Sequence, residues 1–272
     1  MKVPLVITPV TDPDDARLDD YRRLQDHTIR RRLEEAGGFF IVEGWEAVRR
    51  LLRSGWGIRS LLVTEDKVDR LGDVDVDDLP FPLYSAARQT VAEVVGFDLH
   101  RGVIASATRP APRDWTAVAG AASRLAVLEG INDLENLGAI FRSAGALGVQ
   151  GVLLAPTIAD PLYRRSVRVS MGAVLMVPFA RLHSWPQNLL DLKNVGFSLV
   201  ALTPDPSATL IESMSIPARF ALLLGSESSG LSREALELAD VRVRIGQTGS
   251  LDSLNVGHAA AIAFHRFGKA LS

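Results

Sequence analysis

Short apolar runs alternate with stretches of helical periodicity along most of the chain. In the second half, the apolar runs predict strands at residues 125–128, 151–155, 177–180, 197–202, 219–224 and 241–245. The periodic stretches between them predict helices at residues 137–147, 163–171, 189–194, 232–238 and 255–267. Alternation of this kind is typical of a parallel sheet covered by helices on both faces. The second half is therefore predicted to be an α/β domain.

The first third of the chain shows a shorter version of the same pattern. Strands are predicted at residues 39–42, 58–63 and 102–107, and helices at residues 47–52 and 86–95. Pro110 and Pro112 then favour an extended segment over a helix. We therefore predict a small first domain of βαβ type at residues 1–108, a linker at 109–120 and a second domain at 121–272.

Composition narrows the class of protein. The chain has 272 residues, of which 47% are hydrophobic and 23% charged, so it can bury a sizeable core. Cysteine is absent, which excludes disulfides and thiolate metal sites. The apolar run at the N-terminus is too short for a signal peptide, and no run approaches the ~18 apolar residues of a membrane span. We expect a cytoplasmic protein without membrane contact.

The net charge and the distribution of arginines give opposite indications about nucleic-acid binding. The net charge of −2 argues mildly against nucleic-acid binding, because a basic domain is the usual footprint. Arginines nevertheless cluster in two places, at Arg22, Arg23, Arg30, Arg31 and Arg32 and at Arg164, Arg165 and Arg168. The first cluster is equally consistent with a solvated helix face and with an RNA-binding surface.

Candidate chemistry is concentrated in three polar segments, at residues 136–144, 224–231 and 253–256. Each combines small, amide or hydroxyl residues with an apolar run, and together they supply one Arg and one Glu. We expect them to be loops that meet at the ends of parallel strands, where ligands bind in open α/β sheets. Leu231 stands where a phosphate-binding loop needs Lys, and the histidines show no metalloprotease spacing, so a metal site has little support.

The order and spacing of these segments resemble the three motifs of the SpoU/TrmH family, the RNA ribose 2′-O-methyltransferases of the SPOUT superfamily. The third segment, Ser-Leu-Asn-Val at 253–256, carries most of the specificity. The resemblance covers residues 125–267, with a looser one over the first third. It implies S-adenosylmethionine as cofactor, rRNA or tRNA as substrate, and a homodimer formed through the C-terminal domain. It also implies an α/β fold in which a SPOUT domain with a deep trefoil knot follows a small L30e-like substrate-binding domain.

Roles for individual residues follow from the same resemblance. The residues that match catalytic motif positions are Asn136, Arg142, Glu227, Ser253 and Asn255. Those that match cofactor-binding positions are Leu202, Thr203, Gly225, Ile245 and Leu254. Those expected to contact RNA are Arg22, Arg23, Arg30, Arg31 and Arg168. Arg142 is expected to stabilise the developing alkoxide, since a guanidinium stays protonated and is a poor base.

Several of these residues also have simpler interpretations. Asn136 would cap a helix that starts at residue 137, and Ser253 would cap a helix that starts at 255. Glu227 taken alone would be a surface carboxylate of a loop, whereas its role by resemblance is to pair with Arg142 or to position substrate groups. Gly225 is expected to let the cofactor approach the backbone closely.

The chain departs from the family's usual motifs at a few positions. Gly246 and Gln247 stand where Pro and an apolar residue are usual, and Gly257 stands where Ser is usual, followed by His258. Leu134 replaces a usual Pro. These differences leave the catalytic positions in place but change the expected cofactor pocket.

Two other functions are compatible with parts of the sequence. One is a catalytically silent RNA-binding protein of the same fold, against which the joint retention of the five catalytic positions argues. The other is an α/β hydrolase or nucleotide enzyme. The missing nucleophile elbow and the missing phosphate-binding Lys disfavour it.

Overall fold

The computed structural model describes residues 6–73, 80–249 and 253–268. The chain divides into two compact units, each with its own hydrophobic core. The first unit contains Met1–Ala111 and Leu162–Leu175, and the second contains Pro112–Pro161 and Met176–Ser272. In the described ranges, none of the helices is long and apolar enough to cross a bilayer.

Strands and helices alternate along the chain. The strands are β1 (Ile7–Pro9), β2 (Phe39–Glu43), β3 (Ile58–Thr64), β4 (Leu83–Ala86), β5 (Val103–Thr108), β6 (Arg124–Leu128), β7 (Gly151–Leu154), β8 (Phe179–Arg181), β9 (Ser198–Leu202), β10 (Thr209–Leu210), β11 (Phe220–Leu224) and β12 (Val241–Arg244). The helices are α1 (His27–Gly37), α2 (Trp45–Arg53), α3 (Arg88–Val95), α4 (Trp115–Gly120), α5 (Leu134–Ala146), α6 (Arg164–Val169), α7 (Gln187–Asn194), α8 (Arg233–Leu238) and α9 (Val256–Gly268).

The first unit is built on a five-stranded sheet in the order β1-β4-β3-β5-β2. Strands β1, β3 and β4 are parallel, whereas β5 runs antiparallel to both β2 and β3. Buried apolar residues on the central strands, such as Ile41, Leu62 and Ile104, form part of its core. The predicted helix at 86–95 is corrected at its start, because Ala86 ends β4 and the helix begins at Arg88.

A segment from the second half of the sequence completes the first unit. We predicted residues 163–171 as a helix of the second domain, but Leu162–Leu175 belongs to the first unit. Its helix α6 packs against β2, where Arg164 Nη1 donates to Glu43 Oε2 at 2.5 Å. Arg50 Nη1 donates to the Met171 carbonyl oxygen at 3.0 Å and holds the turn that follows. The connection between β7 and β8 therefore forms part of a different unit from the strands it joins.

The second unit is a seven-stranded sheet in the order β10-β12-β9-β11-β6-β7-β8, and every pair of neighbours is parallel. The strand residues of β6, β7 and β11 are buried almost throughout, as expected for a sheet covered on both faces. The strands predicted in this half are confirmed, with somewhat shifted ends. The carboxyl ends of β9, β11 and β12 lie side by side, and β11 and β12 lead into two of the polar segments that the sequence singled out, residues 224–231 and 253–256. The third, residues 136–144, follows β6, the other neighbour of β11.

The predicted linker at residues 109–120 is corrected by helix α4, which occupies Trp115–Gly120. The Asp114 carboxylate accepts a hydrogen bond from the Thr116 N–H at 2.9 Å and caps this helix. Val118 and Ala119 are buried in the core of the second unit. Pro110 and Pro112 therefore flank the boundary between the two units, and the chain is helical from Trp115 onward.

Candidate functional site

A cavity of about 360 Å³ opens at the carboxyl ends of β9, β11 and β12. All the residues predicted to bind the cofactor line it, namely Leu202, Thr203, Gly225, Ile245 and Leu254. Glu227 and Ser253, from the predicted catalytic set, also line it. Two of the three polar segments thus line this cavity at one edge of the sheet, as the sequence predicted from the position of each segment after a strand.

Gly225 is required here for a reason that the sequence did not reveal. We expected it to make room for a ligand. A Cβ atom at this position would instead lie 2.1 Å from the Gly230 carbonyl carbon and 2.2 Å from the Leu231 nitrogen. Real Cβ atoms essentially never approach backbone so closely. Gly225 therefore lets the loop at residues 225–231, which we call the motif loop, fold back on itself beside the cavity.

The predicted catalytic residues Asn136, Glu227 and Asn255 are in direct contact. Asn255 Nδ2 donates to Asn136 Oδ1 at 2.7 Å and to Glu227 Oε1 at 2.6 Å. The backbone N–H of Val256 also faces Glu227 Oε1, at 3.4 Å. One amide group from the start of α9 therefore joins α5 to the motif loop.

Helix capping fixes the orientation of Asn255. Its Oδ1 accepts from the N–H groups of Gly257 at 3.0 Å and His258 at 3.2 Å, so Asn255 caps α9. The expectation that Ser253 caps this helix is therefore wrong. Because Oδ1 is held by backbone donors, the Nδ2 end of the amide must point toward the other two side chains.

Asn136 does not cap its own helix either. Helix α5 begins at Leu134, and Asp133 Oδ1 accepts from the N–H groups of Glu135 at 2.9 Å and Asn136 at 2.8 Å. The Asn136 side chain is left to face Asn255. The simpler interpretation of Asn136 as a cap is therefore wrong, because Asp133 already performs that role.

Arg142 stands apart from these contacts. It lies on α5 with an exposed side chain and, among the described residues, makes no hydrogen bond or ion pair. The pairing of Glu227 with Arg142 that we considered is not seen, since Glu227 contacts Asn255 instead. Its guanidinium is therefore free to meet a substrate.

Comparison with known proteins identifies the family of the chain. The model of the SpoU rRNA Methylase family matches residues 123–265, more than half of the chain. The chain belongs to the SpoU rRNA methylase family. It is accordingly an RNA methyltransferase.

Individual relatives extend over more of the chain. An uncharacterized tRNA/rRNA methyltransferase of Mycobacterium tuberculosis is 46% identical over 265 residues, which cover 96% of this chain and 91% of the relative. A 23S rRNA (guanosine-2′-O-)-methyltransferase of Nitrosomonas europaea is 33% identical over 63% of this chain and 67% of its own. The AdoMet-bound rRNA methyltransferase from Sinorhizobium meliloti has a TM-score of 0.80 at 23% identity, over 98% of this chain and 99% of its own. That structural likeness shows that the two proteins share a fold.

The arginines predicted to bind RNA in this SpoU-family protein differ in accessibility. Arg30 is corrected: it is only 5% exposed, and its Nε donates to Glu34 Oε1 at 2.7 Å. Its guanidinium also lies over the Phe39 ring, 4.9 Å from the centroid. Arg30 therefore stabilises the first unit from within and presents no charge to a ligand.

The side chains of the other four arginines that were predicted to contact RNA are at least partly exposed. Arg23 is exposed and, in the described ranges, has no ion-pair partner. Arg31 pairs with Glu35 at 2.9 Å on the surface of α1, and its side chain is 63% exposed. The partly exposed side chains of Arg22 and Arg168 lie near acidic residues, with Arg22 Nε 2.9 Å from Asp19 and Arg168 Nη1 3.7 Å from Glu43. The Arg22 pair lies at the surface and contributes little to stability, whereas the carboxylate that Arg168 faces is buried.

The structure shows what surrounds the residues that depart from the usual SpoU motifs. A Cβ atom at Gly257 would lie 3.2 Å from the Ala139 Cβ, so the glycine lets α9 approach α5 closely. Gln247 lines the cavity and adds an amide to its wall. Along α9, Ala260 and Phe264 are buried within the chain, whereas Ile262 is 42% exposed. Most of the apolar face of α9 therefore packs internally.

Glu129, which follows β6 directly, was missed by the sequence analysis. Its carboxylate accepts from Trp185 Nε1 at 2.7 Å and from the Ser232 N–H at 2.9 Å. Both donors are distant in sequence, so no local motif reveals the contact. The only available signal was an acidic residue placed immediately after a buried strand.

Proposed function

We propose that this SpoU-family chain transfers a methyl group from S-adenosylmethionine to a ribose 2′-hydroxyl of rRNA or tRNA. The observation that carries the proposal is the contact of Asn255 with Asn136 and Glu227 at the edge of the cavity. The Nitrosomonas europaea relative, which is named for guanosine 2′-O-methylation, supports the choice of hydroxyl.

The chemistry of the cavity suits this cofactor. Its apolar wall includes Leu202, Ile245 and Leu254, which offer surface for an adenine. Among the described residues that line it, Glu227 is the one charged side chain, and none is Lys or Arg. A carboxylate without basic neighbours favours a cationic sulfonium and disfavours a polyphosphate. When bound, S-adenosylmethionine supplies the electrophilic methyl group.

The chain's own residues orient the substrate and stabilise its charge. Asn255 holds Glu227 and Asn136 in a fixed arrangement, which positions the motif loop and the start of α5 relative to the bound reactants. Arg142 stabilises the negative charge that develops on the 2′-oxygen while the hydroxyl proton passes to solvent water, and it grips a neighbouring phosphate. Ser253 closes the cavity from the third segment.

We further propose that the first unit acts as an L30e-like RNA-binding domain. The exposed charges of Arg22, Arg23, Arg31 and Arg168 support a role in phosphate contact. Following the family, the chain forms a homodimer through its C-terminal domain and carries a trefoil knot there. A catalytically silent RNA-binding protein is the alternative, and it gives no reason to retain the Asn136, Glu227 and Asn255 contacts.

The test is methyl transfer to RNA taken from cells in which the gene is deleted. Purified protein and methyl-labelled S-adenosylmethionine are incubated with that RNA, which is then hydrolysed in alkali. A 2′-O-methyl group blocks cleavage of its own linkage, so we expect the label in alkali-resistant dinucleotides. Label in mononucleotides would contradict ribose methylation, and RNA binding without any transfer would favour the silent alternative.

A further inference from the structure

We propose that Glu129 is a positioning residue that holds both ends of the motif loop and thereby sets the place of Glu227. The inference rests on the proposed function, because its consequence for activity assumes methyl transfer at this site. It concerns a residue outside the three motif segments, and it acts through the backbone of the loop without touching the cavity.

Both ends of the motif loop are bonded to this one residue. At the start of the loop, the Glu129 N–H donates to the Leu224 carbonyl oxygen at 2.9 Å and extends the pairing of β6 with β11. At its end, Glu129 Oε2 accepts from the Ser232 N–H at 2.9 Å. The backbone of Glu129 thus fixes where the loop leaves the sheet, and its side chain fixes where the loop enters α8.

Trp185 orients the carboxylate for this task. Its Nε1 donates to Glu129 Oε1 at 2.7 Å, which leaves Oε2 directed at Ser232. Glu129 and Trp185 are both partly buried, so water competes weakly for these hydrogen bonds. Ser232 in turn caps α8, since its hydroxyl accepts from the Ala235 N–H at 3.3 Å.

Contacts within the motif loop make its interior rigid. The position of Glu227 is therefore set by the residues that hold the two ends of the loop. Gly225 packs directly on the backbone of Gly230 and Leu231, and the Gly230 N–H donates to the Ser226 carbonyl oxygen at 3.0 Å. The Ser226 and Ser229 hydroxyl oxygens are 2.8 Å apart. A shift at Ser232 is therefore transmitted to Glu227 instead of being absorbed within the loop.

The experiment uses the full chain and a rescue design. In Glu129→Gln, either the Trp185 Nε1–H or the Ser232 N–H must face the glutamine NH₂ group, which cannot accept, so one of the two hydrogen bonds is lost. In the double variant with Trp185→Phe, the indole donor is gone, and the glutamine oxygen can again accept from Ser232. Glu234→Gln, an exposed carboxylate on α8, is the matched control. Single-turnover methyl transfer and amide hydrogen exchange of residues 224–236 are measured in each variant.

In Glu129→Gln, we expect the Ser232 N–H to exchange its hydrogen about tenfold faster than in the wild type, which is the scale of one lost hydrogen bond. We expect methyl transfer to be slower by a similar factor. The double variant should recover most of both losses, which a merely destabilising change would not do. A folded Glu129→Gln variant with normal exchange and normal transfer would overturn the proposal, as would a double variant no better than the single one.

Failure of the proposal and failure of the proposed function give different results. If the wild-type chain transfers no methyl group, the proposed function fails, while hydrogen exchange still reports on Glu129. If Glu129→Gln does not fold, Trp185→Phe alone should give a smaller acceleration of exchange at Ser232. Unchanged exchange in that variant would count against the inference.

Discussion

The side-chain amide of Asn255 donates to Asn136 Oδ1 at 2.7 Å, although the two residues are 119 positions apart in sequence. The same amide nitrogen reaches Glu227, and its oxygen caps α9. One side chain therefore uses both ends of its amide, one for stability and one for the site. The two uses can be separated by substitution.

Asn255→Ser should separate capping from catalysis. Serine caps helices about as well as asparagine, so the variant should keep the wild-type melting temperature, whereas Asn255→Ala should lose about 1 kcal/mol. Both variants lack the amide donor and should transfer methyl groups about 10²-fold more slowly, the scale of one lost preorganised donor. Calorimetry and single-turnover transfer measure the two effects. Full activity in the folded serine variant would remove the Asn255 amide from the mechanism.

Gly225→Ala should abolish binding of S-adenosylmethionine. The added methyl group would lie 2.1 Å from backbone, so the motif loop must open and the cavity lose its shape. Gly249→Ala is the control, since nothing lies within 4 Å of a Cβ atom there. Titration calorimetry measures the affinity, and thermal melting reports the fold. Wild-type affinity in Gly225→Ala would mean that the closed form of the loop is not the binding form.

Arg142→Ala should affect the rate of transfer and little else. Its side chain is exposed and makes no hydrogen bond or ion pair with the described residues, so the free energy of unfolding should change by less than about 0.5 kcal/mol. We expect S-adenosylmethionine affinity within a few-fold of wild type and methyl transfer slower by about 10²-fold. Arg142→Lys should not restore full activity, because an ammonium cannot make the planar bidentate contact. Near-normal turnover of the alanine variant would exclude Arg142 from the chemistry.

Alanine substitutions at Arg30 and Arg31 should have different effects, the first mainly on stability and the second mainly on RNA affinity. Arg30→Ala leaves the Glu34 carboxylate buried without its closest partner and should cost about 3 kcal/mol of unfolding free energy. Arg31→Ala breaks an exposed pair and should cost less than about 1 kcal/mol. RNA affinity should fall in Arg31→Ala. A stable Arg30→Ala variant with weakened RNA binding would reverse these assignments.

The proposed dimer can be tested at Ile262, an exposed apolar residue on α9. Light scattering of the wild type should give twice the chain mass of 29.4 kDa. Ile262→Glu should shift this value toward the monomer, because a charge would be buried in the contact. Val195→Glu, at a valine after α7 that is 48% exposed against 42% for Ile262, should leave it unchanged. A wild-type monomer that still methylates RNA would contradict the dimer.

Periodicity was sufficient for the parallel sheet, because its strands are buried on both faces and appear as uninterrupted apolar runs. It failed for β10, a two-residue strand with exposed side chains, and for α4, which the prolines before it concealed. The residues predicted to bind the cofactor do line one cavity, since segments that follow neighbouring parallel strands lie at one edge of the sheet.

The sequence could not predict which polar side chains are buried or which residues distant in sequence form hydrogen bonds. Arg30 and Arg31 are neighbours in a run of arginines, yet one points inward and the other outward, and only the packing of α1 distinguishes them. Glu129 bonds to a backbone N–H that is 103 positions away, and a backbone donor leaves no mark on residue type. Contacts of this kind depend on the assembled sheet.

The return of Leu162–Leu175 to the first unit has a consequence for synthesis of the chain. A ribosome releases residues 1–111 well before it releases α6, so the first unit lacks Arg164, the ion-pair partner of its buried Glu43, until more than half of the protein has been made. By then, β6 and β7 have already emerged. The first unit therefore cannot be completed before part of the second has been synthesised, although its own residues come first in the sequence.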